Sequence, residues 1–247
     1  MSLTEHLAEL RMRLVRALAA TALGFAVAYA WAAELIELLL HPLRAQGLDV
    51  RVIGTGVTDA FFTKLKVAAI AGVFLASPVI FFQAWRFVSP GLYAREKRVA
   101  LPFSIAASAF FVAGAAFCYE LVFPVAFRFF LEQFHSIALG PQIRISEYLT
   151  FASRMLLAFG VTFELPVASF FLARVGLITH RTLLDGARYA VVVIFVVAAV
   201  LTPGPDVASQ LLMAAPLLVL YVLSVGVAWL FARTPAAAET DRPLPAR

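Results

Sequence analysis

The chain has 247 residues, of which 62% are hydrophobic and only 14% carry a charge. A soluble domain averages about 45–50% apolar and about 25% charged residues. A lone globule of this composition would expose too much apolar surface, so the composition indicates an integral membrane protein. The net charge of +5 comes from scattered basic residues and gives no reason to expect nucleic-acid binding.

The cysteine and histidine content argues against metal and disulfide chemistry. Cys118 is the single cysteine, which excludes an internal disulfide, and the sequence has no CxxC or paired-histidine motif. We therefore expect no metal and no other cofactor. Cys118 lies in an apolar run and is predicted to be a small packing residue.

Six apolar segments predict an all-α, polytopic membrane protein. A helix needs about 20 apolar residues to cross a bilayer, and five segments reach that length. The fifth segment along the chain has 13 residues and would span only about 20 Å, so a re-entrant pair with the last segment is the alternative. The predicted spans are residues 14–35, 65–85, 99–123, 148–175, 189–201 and 207–231.

The distribution of basic residues predicts the orientation. With six spans, thirteen Arg and Lys residues fall on the side of the termini and six on the opposite side. Positive residues stay cytoplasmic, so both termini are predicted to be cytoplasmic. Residues 1–231 form the predicted transmembrane domain. Residues 232–247, rich in Ala, Pro and charge, are predicted to be a disordered cytoplasmic tail.

The N-terminus predicts an amphipathic helix that runs into the first span. Ser2 and Glu5 have the spacing of a capping box, and leucines recur at intervals of three and four residues. Glu9 and Arg13 are four residues apart and could pair on this helix. The simpler alternative is that the charged residues form a solvated face at the membrane surface.

The loop that precedes the third span contains one acid, Glu96, among four basic residues. A carboxylate at this membrane edge would hold a cationic guest well, since arginine contacts to carboxylates are strong and directional. The alternative is that Glu96 only offsets its basic neighbours. Phe87 is a candidate interfacial anchor.

Two residues mark turns on the predicted outer side. Pro42 is expected to end the first helix, because proline lacks the backbone N–H that a helix interior needs. Asp206 follows a turn with two prolines and is expected to cap the last helix through backbone N–H groups.

Glu164 lies in the middle of the fourth span, where hydrocarbon cannot solvate a charge. Arg154 is about 15 Å away along a helix, too far for a direct pair. The carboxyl group is therefore expected to be protonated or hydrogen-bonded to a polar group of another helix. The alternative is a bond within this chain's own bundle, for example to Thr162 or Ser169. Pro166 predicts a kink beside the acid.

Four segments in order resemble TatC, the multispan receptor of the twin-arginine protein translocase. They are residues 6–15 (HLAELRMRLV), 87–99 (FVSPGLYAREKRV), 159–169 (FGVTFELPVAS) and 201–211 (LTPGPDVASQL). The resemblance implies roles for eight residues. Those that bind the twin arginines of a signal peptide are Glu9 and Glu96, with support from Arg11, Phe87 and Arg98. Those with other roles are Glu164, which serves assembly and transport within the membrane, and Pro42 and Asp206 on the outer side.

The resemblance further implies a receptor of the bacterial plasma membrane that binds folded cargo by its signal peptide and is not an enzyme. Its partners would be TatA and TatB, both single-span subunits, as well as membrane lipid and further copies of this chain, with export driven by the proton gradient. Ala94 and Arg95 depart from the residues that relatives often carry before the loop acid.

Two other classes of protein remain as alternatives. A proton-coupled solute transporter with Glu164 as its proton carrier would predict an internal repeat and several polar residues around one cavity. The sequence shows one acid and no repeat. An intramembrane hydrolase would need paired catalytic groups, whereas the four histidines are far apart in sequence.

Overall fold

The computed structural model describes residues 3–46, 50–88, 100–136, 140–202 and 206–231. Glu96, Arg98 and the predicted tail at 232–247 lie outside these ranges. In chain order the described elements are α1 (Leu3–Ala30), α2 (Ala32–Arg44), β1 (Arg51–Ile53), α3 (Asp59–Val88), α4 (Ala100–Phe117), a π-helical turn (Cys118–Val122), α5 (Phe123–Ser136), β2 (Gln142–Arg144), α6 (Ile145–Val175), α7 (His180–Asp185), α8 (Ala187–Leu201) and α9 (Val207–Phe231).

The chain divides into two compact units, residues 1–161 and residues 162–247, and the boundary falls within α6. Five of the described helices are long and apolar enough to cross a membrane, and α8 is a shorter apolar helix. At about 1.5 Å per residue, the 15 residues of α8 reach about 22 Å. Many large apolar side chains on these helices are exposed, as expected for surfaces that face lipid.

The first apolar run forms two helices, and the expectation that Pro42 ends the first one is wrong. α1 ends at Ala30, and a turn at Trp31 separates it from α2. Pro42 is buried inside α2. A proline there removes the N–H that would bond the carbonyl four residues earlier, but the Tyr119 hydroxyl donates to that carbonyl, on Leu38. This contact supplies a donor in place of the missing N–H.

α1 and α3 pack closely as antiparallel neighbours. A methyl group added at Gly24 would lie 2.6 Å from the carbonyl oxygen of Gly72, and one added at Gly72 would lie 2.6 Å from the backbone nitrogen of Phe25. Near the start of α1 and the end of α3, the rings of His6 and Phe87 stack with centroids 4.5 Å apart. Small residues allow this close backbone approach, which is common between membrane helices.

The core of the first unit is aromatic. Phe127 packs against Phe123 and Tyr148, with ring centroids 5.1 and 5.3 Å apart, and all three side chains are buried. Cys118 is fully buried and unpaired, in line with its predicted packing role. It begins the π-helical turn, after which the helix continues through α5 well past the predicted end of the third span at residue 123.

A short parallel strand pair was not anticipated from the sequence. β1 pairs with β2 in the register Arg51 to Gln142, Val52 to Ile143 and Ile53 to Arg144. Each strand has three residues, which is too short for an alternating pattern to stand out. The pair ties the segment before α3 to the start of α6.

The second unit joins the end of α6 to α7, α8 and α9. Gly176 ends α6 with a φ of 83°, a left-handed conformation that glycine adopts without steric cost. The Tyr221 hydroxyl of α9 donates to the Leu183 carbonyl of α7. The Gln210 amide of α9 donates to the Phe195 carbonyl of α8 over 2.9 Å. These bonds connect α9 to both preceding helices.

Candidate functional site

Glu9 and Arg13 form the predicted pair on α1. Arg13 donates to Glu9 Oε1 from Nε over 3.1 Å and also from Nη2. Both side chains are largely buried, with 11% of Arg13 and 15% of Glu9 exposed. The alternative of a fully solvated charged face is therefore wrong for these two residues, although Glu5 and Arg11 are exposed.

The second carboxylate oxygen of Glu9 is not bonded by Arg13. Oε2 is buried and has no hydrogen-bond partner in the described part of the chain. A buried acceptor without a donor is costly, because it has lost water and gained nothing in exchange. Since Arg13 uses only Oε1, the pair leaves the second carboxylate oxygen without a hydrogen bond among the described residues.

The surroundings of Glu9 include residues of α3. His6, one turn before Glu9, stacks on Phe87, so Phe87 packs against the turn of α1 that precedes Glu9. The positive charge of Arg86 also acts on Glu9. Glu96 and Arg98, which complete the predicted site, lie outside the described residues.

Gln83 is a further buried acceptor on α3. Its side chain is 9% exposed, and Oε1 has no hydrogen-bond partner within the described ranges. The contacts of Gly24 with Gly72 and of His6 with Phe87 set the antiparallel register, which places Gln83 at a level between Glu9 and Arg13. In the sequence, Gln83 is marked only as a single amide within an apolar run, and it was not predicted as a site residue.

Glu164 lies in α6 within the second unit and is partly buried. Its Oε1 is buried without a hydrogen-bond partner among the described residues. The alternative in which this oxygen bonds to Thr162 or Ser169 is therefore not observed. Pro166, two residues further on, is buried inside the same helix.

Pro42, predicted to lie on the outer side, is close to two side-chain contacts with α2 in the first unit. Tyr148 of α6 donates to the Leu39 carbonyl over 2.6 Å, next to the bond from Tyr119 to Leu38. Two tyrosines thus bond successive carbonyls of α2, just before the proline. Neither tyrosine could be paired with α2 from the sequence alone.

Asp206 forms the predicted cap of α9. Its Oδ1 accepts from the Ser209 backbone N–H over 2.7 Å, and its Oδ2 accepts from the Ser209 hydroxyl. The hydrogen bonds from the Ser209 hydroxyl and backbone stabilise the charged form, so they hold the pKa of the Asp206 carboxyl below its usual value.

Comparison with known proteins identifies the family. A family model described as "Sec-independent protein translocase protein (TatC)" matches residues 5–216. The chain belongs to the TatC family. A relative from Desulforapulum autotrophicum is 46% identical over 96% of this chain and 88% of its own length. One from Carboxydothermus hydrogenoformans is 44% identical over 92% and 93%. Both are described as Sec-independent protein translocase protein TatC.

A solved structure agrees with the family assignment. A crystal structure described as the twin-arginine translocase receptor TatC superposes with a TM-score of 0.84 at 35% identity, over 92% of this chain and all of that chain. The predicted all-α, six-span fold is thereby confirmed, and the chain is a multi-pass protein of the bacterial inner membrane. The orientation of the termini stays a prediction.

A cavity in this TatC-family chain bears on the transporter alternative. It has a volume of about 670 Å³ and lies between helices of the first unit. Among the described residues that line it, all are apolar except Tyr119, Glu120 and Ser153. The Tyr119 hydroxyl already donates a hydrogen bond to the Leu38 carbonyl. A solute pathway needs several polar groups that converge on one site, and these walls do not supply them. The described residues also contain no cluster of His, Cys, Asp or Glu that could hold a metal ion.

Proposed function

We propose that this TatC-family chain binds the twin arginines of a signal peptide on folded cargo, with Glu9 and Glu96 as the carboxylates that accept them. The observation that carries the proposal is the buried Oε2 of Glu9, which has no hydrogen-bond partner among the residues that the structure describes. The crystallised relative is described as the twin-arginine translocase receptor, which supports the proposal. Glu96 enters through the resemblance of its loop to the family motif, as do Arg11 and Arg98.

Guanidinium is a suitable guest for this acceptor. It presents several N–H donors in a fixed plane and is less strongly hydrated than an ammonium group. A hydrogen bond to a buried carboxylate oxygen is therefore both favourable and directional. Two adjacent arginines suit two carboxylates, one on α1 and one in the loop that follows α3. Phe87 lies beside the first of them through its contact with His6.

The rest of the proposed function concerns assembly. As a member of the TatC family the chain is a component of the Tat translocase, together with other Tat subunits. We propose that these include TatA and TatB type single-span subunits and further copies of this chain. Both termini are proposed to be cytoplasmic. Export is proposed to be driven by the proton gradient rather than by an enzymatic step. Glu164 is proposed to hydrogen-bond a polar residue of a single-span partner. Pro42 and Asp206 are proposed to maintain the outer side for transport.

The test compares binding of a labelled signal peptide to the purified receptor in detergent. Glu9→Gln and Glu96→Gln should each weaken binding of the Arg-Arg peptide about ten- to a hundredfold, from the usual strength of a hydrogen bond to a charged group. Glu132→Gln is the matched control, because Glu132 also pairs with an arginine four residues away but is exposed. Its affinity should equal that of the unmodified receptor. Unchanged affinity in Glu9→Gln or Glu96→Gln would remove that residue from the site.

A further inference from the structure

Arg13 gives the Glu9 site an unusual charge balance. The carboxylate carries the one negative charge of the pair, and Arg13 neutralises it from inside the receptor. Arg86 adds positive charge at Glu9. A guest cation that approaches Glu9 therefore finds little net negative charge to attract it.

The hydrogen-bonding capacity of Glu9 is nevertheless incomplete. Both Arg13 donors, Nε and Nη2, bond to Oε1, and Oε2 stays buried without a partner among the described residues. The site offers a guest a hydrogen-bond acceptor rather than a net charge. The affinities of guanidinium and ammonium guests should differ most at a site without net negative charge. The ammonium group is a strongly hydrated point charge, so its binding depends on electrostatic attraction.

We infer that Arg13 determines the specificity of this site: it neutralises Glu9 and occupies Oε1, so that Oε2 accepts a guanidinium N–H and a lysine guest is rejected. Arg13 acts through Glu9 and is a positioning residue that does not touch the guest. This inference rests on the proposed function, since it names how one of the two carboxylates distinguishes arginine from lysine.

The test uses the full-length receptor and two labelled peptides, which carry either Arg-Arg or Lys-Lys. Arg13→Gln removes the charge. Arg13→Met also removes it and keeps an unbranched chain that can fill the buried space of the arginine stem, which guards against misfolding. Arg13→Lys keeps the charge and serves as the control. Affinity for each peptide is measured at low and at high salt.

The expected result is a gain of Lys-Lys binding. In Arg13→Gln and Arg13→Met the ratio of the two affinities should fall at least about fivefold, because the Lys-Lys peptide binds more tightly to a carboxylate that is no longer neutralised. Its binding should also become more sensitive to salt, which screens attraction between charges. Arg13→Lys should keep a ratio close to that of the unmodified receptor. The contribution of Glu96 is the same in all of these receptors, so the ratio reports on the Glu9 site.

The outcomes separate this inference from the proposed function. An unmodified receptor that binds both peptides equally would contradict the proposed function, and the inference would fall with it. A receptor that prefers Arg-Arg, together with Arg13→Gln and Arg13→Met variants of unchanged ratio, would leave the proposed function standing and overturn the role of Arg13. An equal loss of affinity for both peptides in the two variants would also overturn the role of Arg13, since that result is expected of a residue needed only for folding.

Discussion

The hydroxyl of Tyr119 donates a hydrogen bond of 2.9 Å to the carbonyl oxygen of Leu38, 81 residues earlier in the chain. In an α-helix this carbonyl would receive the N–H of residue 42, and residue 42 is a proline. The tyrosine thus supplies a donor that the helix itself cannot provide. Pro42 and Tyr119 should consequently affect stability as a coupled pair.

A double-mutant cycle tests this coupling. Tyr119→Phe should lower the free energy of unfolding by about 0.5–1.5 kcal/mol, the net value of a typical hydrogen bond. In the Pro42→Ala background the same change should cost clearly less, because the introduced alanine can donate its own backbone N–H to the Leu38 carbonyl. The measurement is unfolding of the four proteins in detergent. Equal costs of Tyr119→Phe in both backgrounds would show that the two residues act independently.

The contact between Gly24 and Gly72 predicts that neither position tolerates a larger residue. Gly24→Ala would place its Cβ 2.6 Å from the Gly72 carbonyl oxygen, so the backbones of α1 and α3 must separate. Overpacking of this kind costs about 1–3 kcal/mol, and we expect a loss of that size in unfolding experiments. Gly226→Ala in α9 is the control, because nothing lies within 4 Å of its added methyl group. A Gly24→Ala protein as stable as the Gly226→Ala protein would contradict the close packing.

The Asp206 cap predicts a stability contribution that depends on pH. The pKa of the Asp206 carboxyl is lowered in the folded protein, whereas an unfolded Asp has a pKa of about 3.9. A lowered folded pKa stabilises the fold above the unfolded value, and this stabilisation is lost as the pH falls through the folded value. At pH 7, Asp206→Ala should therefore lower the Tm more than Asp206→Asn, since asparagine can still cap the helix.

The pH series separates charge from capping. The difference in Tm between the unmodified protein and Asp206→Asn should shrink as the pH falls below about 4, because the carboxyl becomes protonated. The difference between Asp206→Asn and Asp206→Ala should persist, because neither side chain titrates. Differences that stay constant over the whole pH range would argue against a stabilising charge at this position.

Replacement of Glu164 by an apolar residue is predicted to cause a selective loss of partner association. Glu164→Leu should abolish co-purification of a single-span partner and leave signal-peptide capture unchanged, whereas Glu164→Gln should keep much of the association because an amide still forms hydrogen bonds. A cysteine at position 164 should crosslink to one in the span of the partner, with Cys118→Ala in the background. Ser169→Ala controls for a bond within the bundle. Equal loss of peptide capture in Glu164→Leu would mean that Glu164 maintains the receptor's own fold.

Local patterns were sufficient for much of the fold and for part of the candidate site. The long apolar runs predicted the transmembrane helices, because the cost of burying polar groups in lipid acts on each segment separately. The pair of Glu9 with Arg13 was predicted from a spacing of four residues, and the cap by Asp206 from its position between a turn and the start of the last span. Such contacts lie within one or two helical turns, so the sequence itself brings the groups together.

Other features were decided only by the tertiary structure. Pro42 lies inside a helix, and the Tyr119 hydroxyl from a distant segment donates to the Leu38 carbonyl that the proline leaves without its N–H partner. β1 pairs with β2 across about 90 residues. The Gly24–Gly72 contact, the buried Oε2 of Glu9 and the level of Gln83 likewise depend on how α1 packs against α3. No local periodicity encodes these relationships, because they arise from the packing of segments that are remote in sequence. The sequence determined which residues are polar within an apolar chain, and the packing decided which of the described ones have no hydrogen-bond partner within the described ranges.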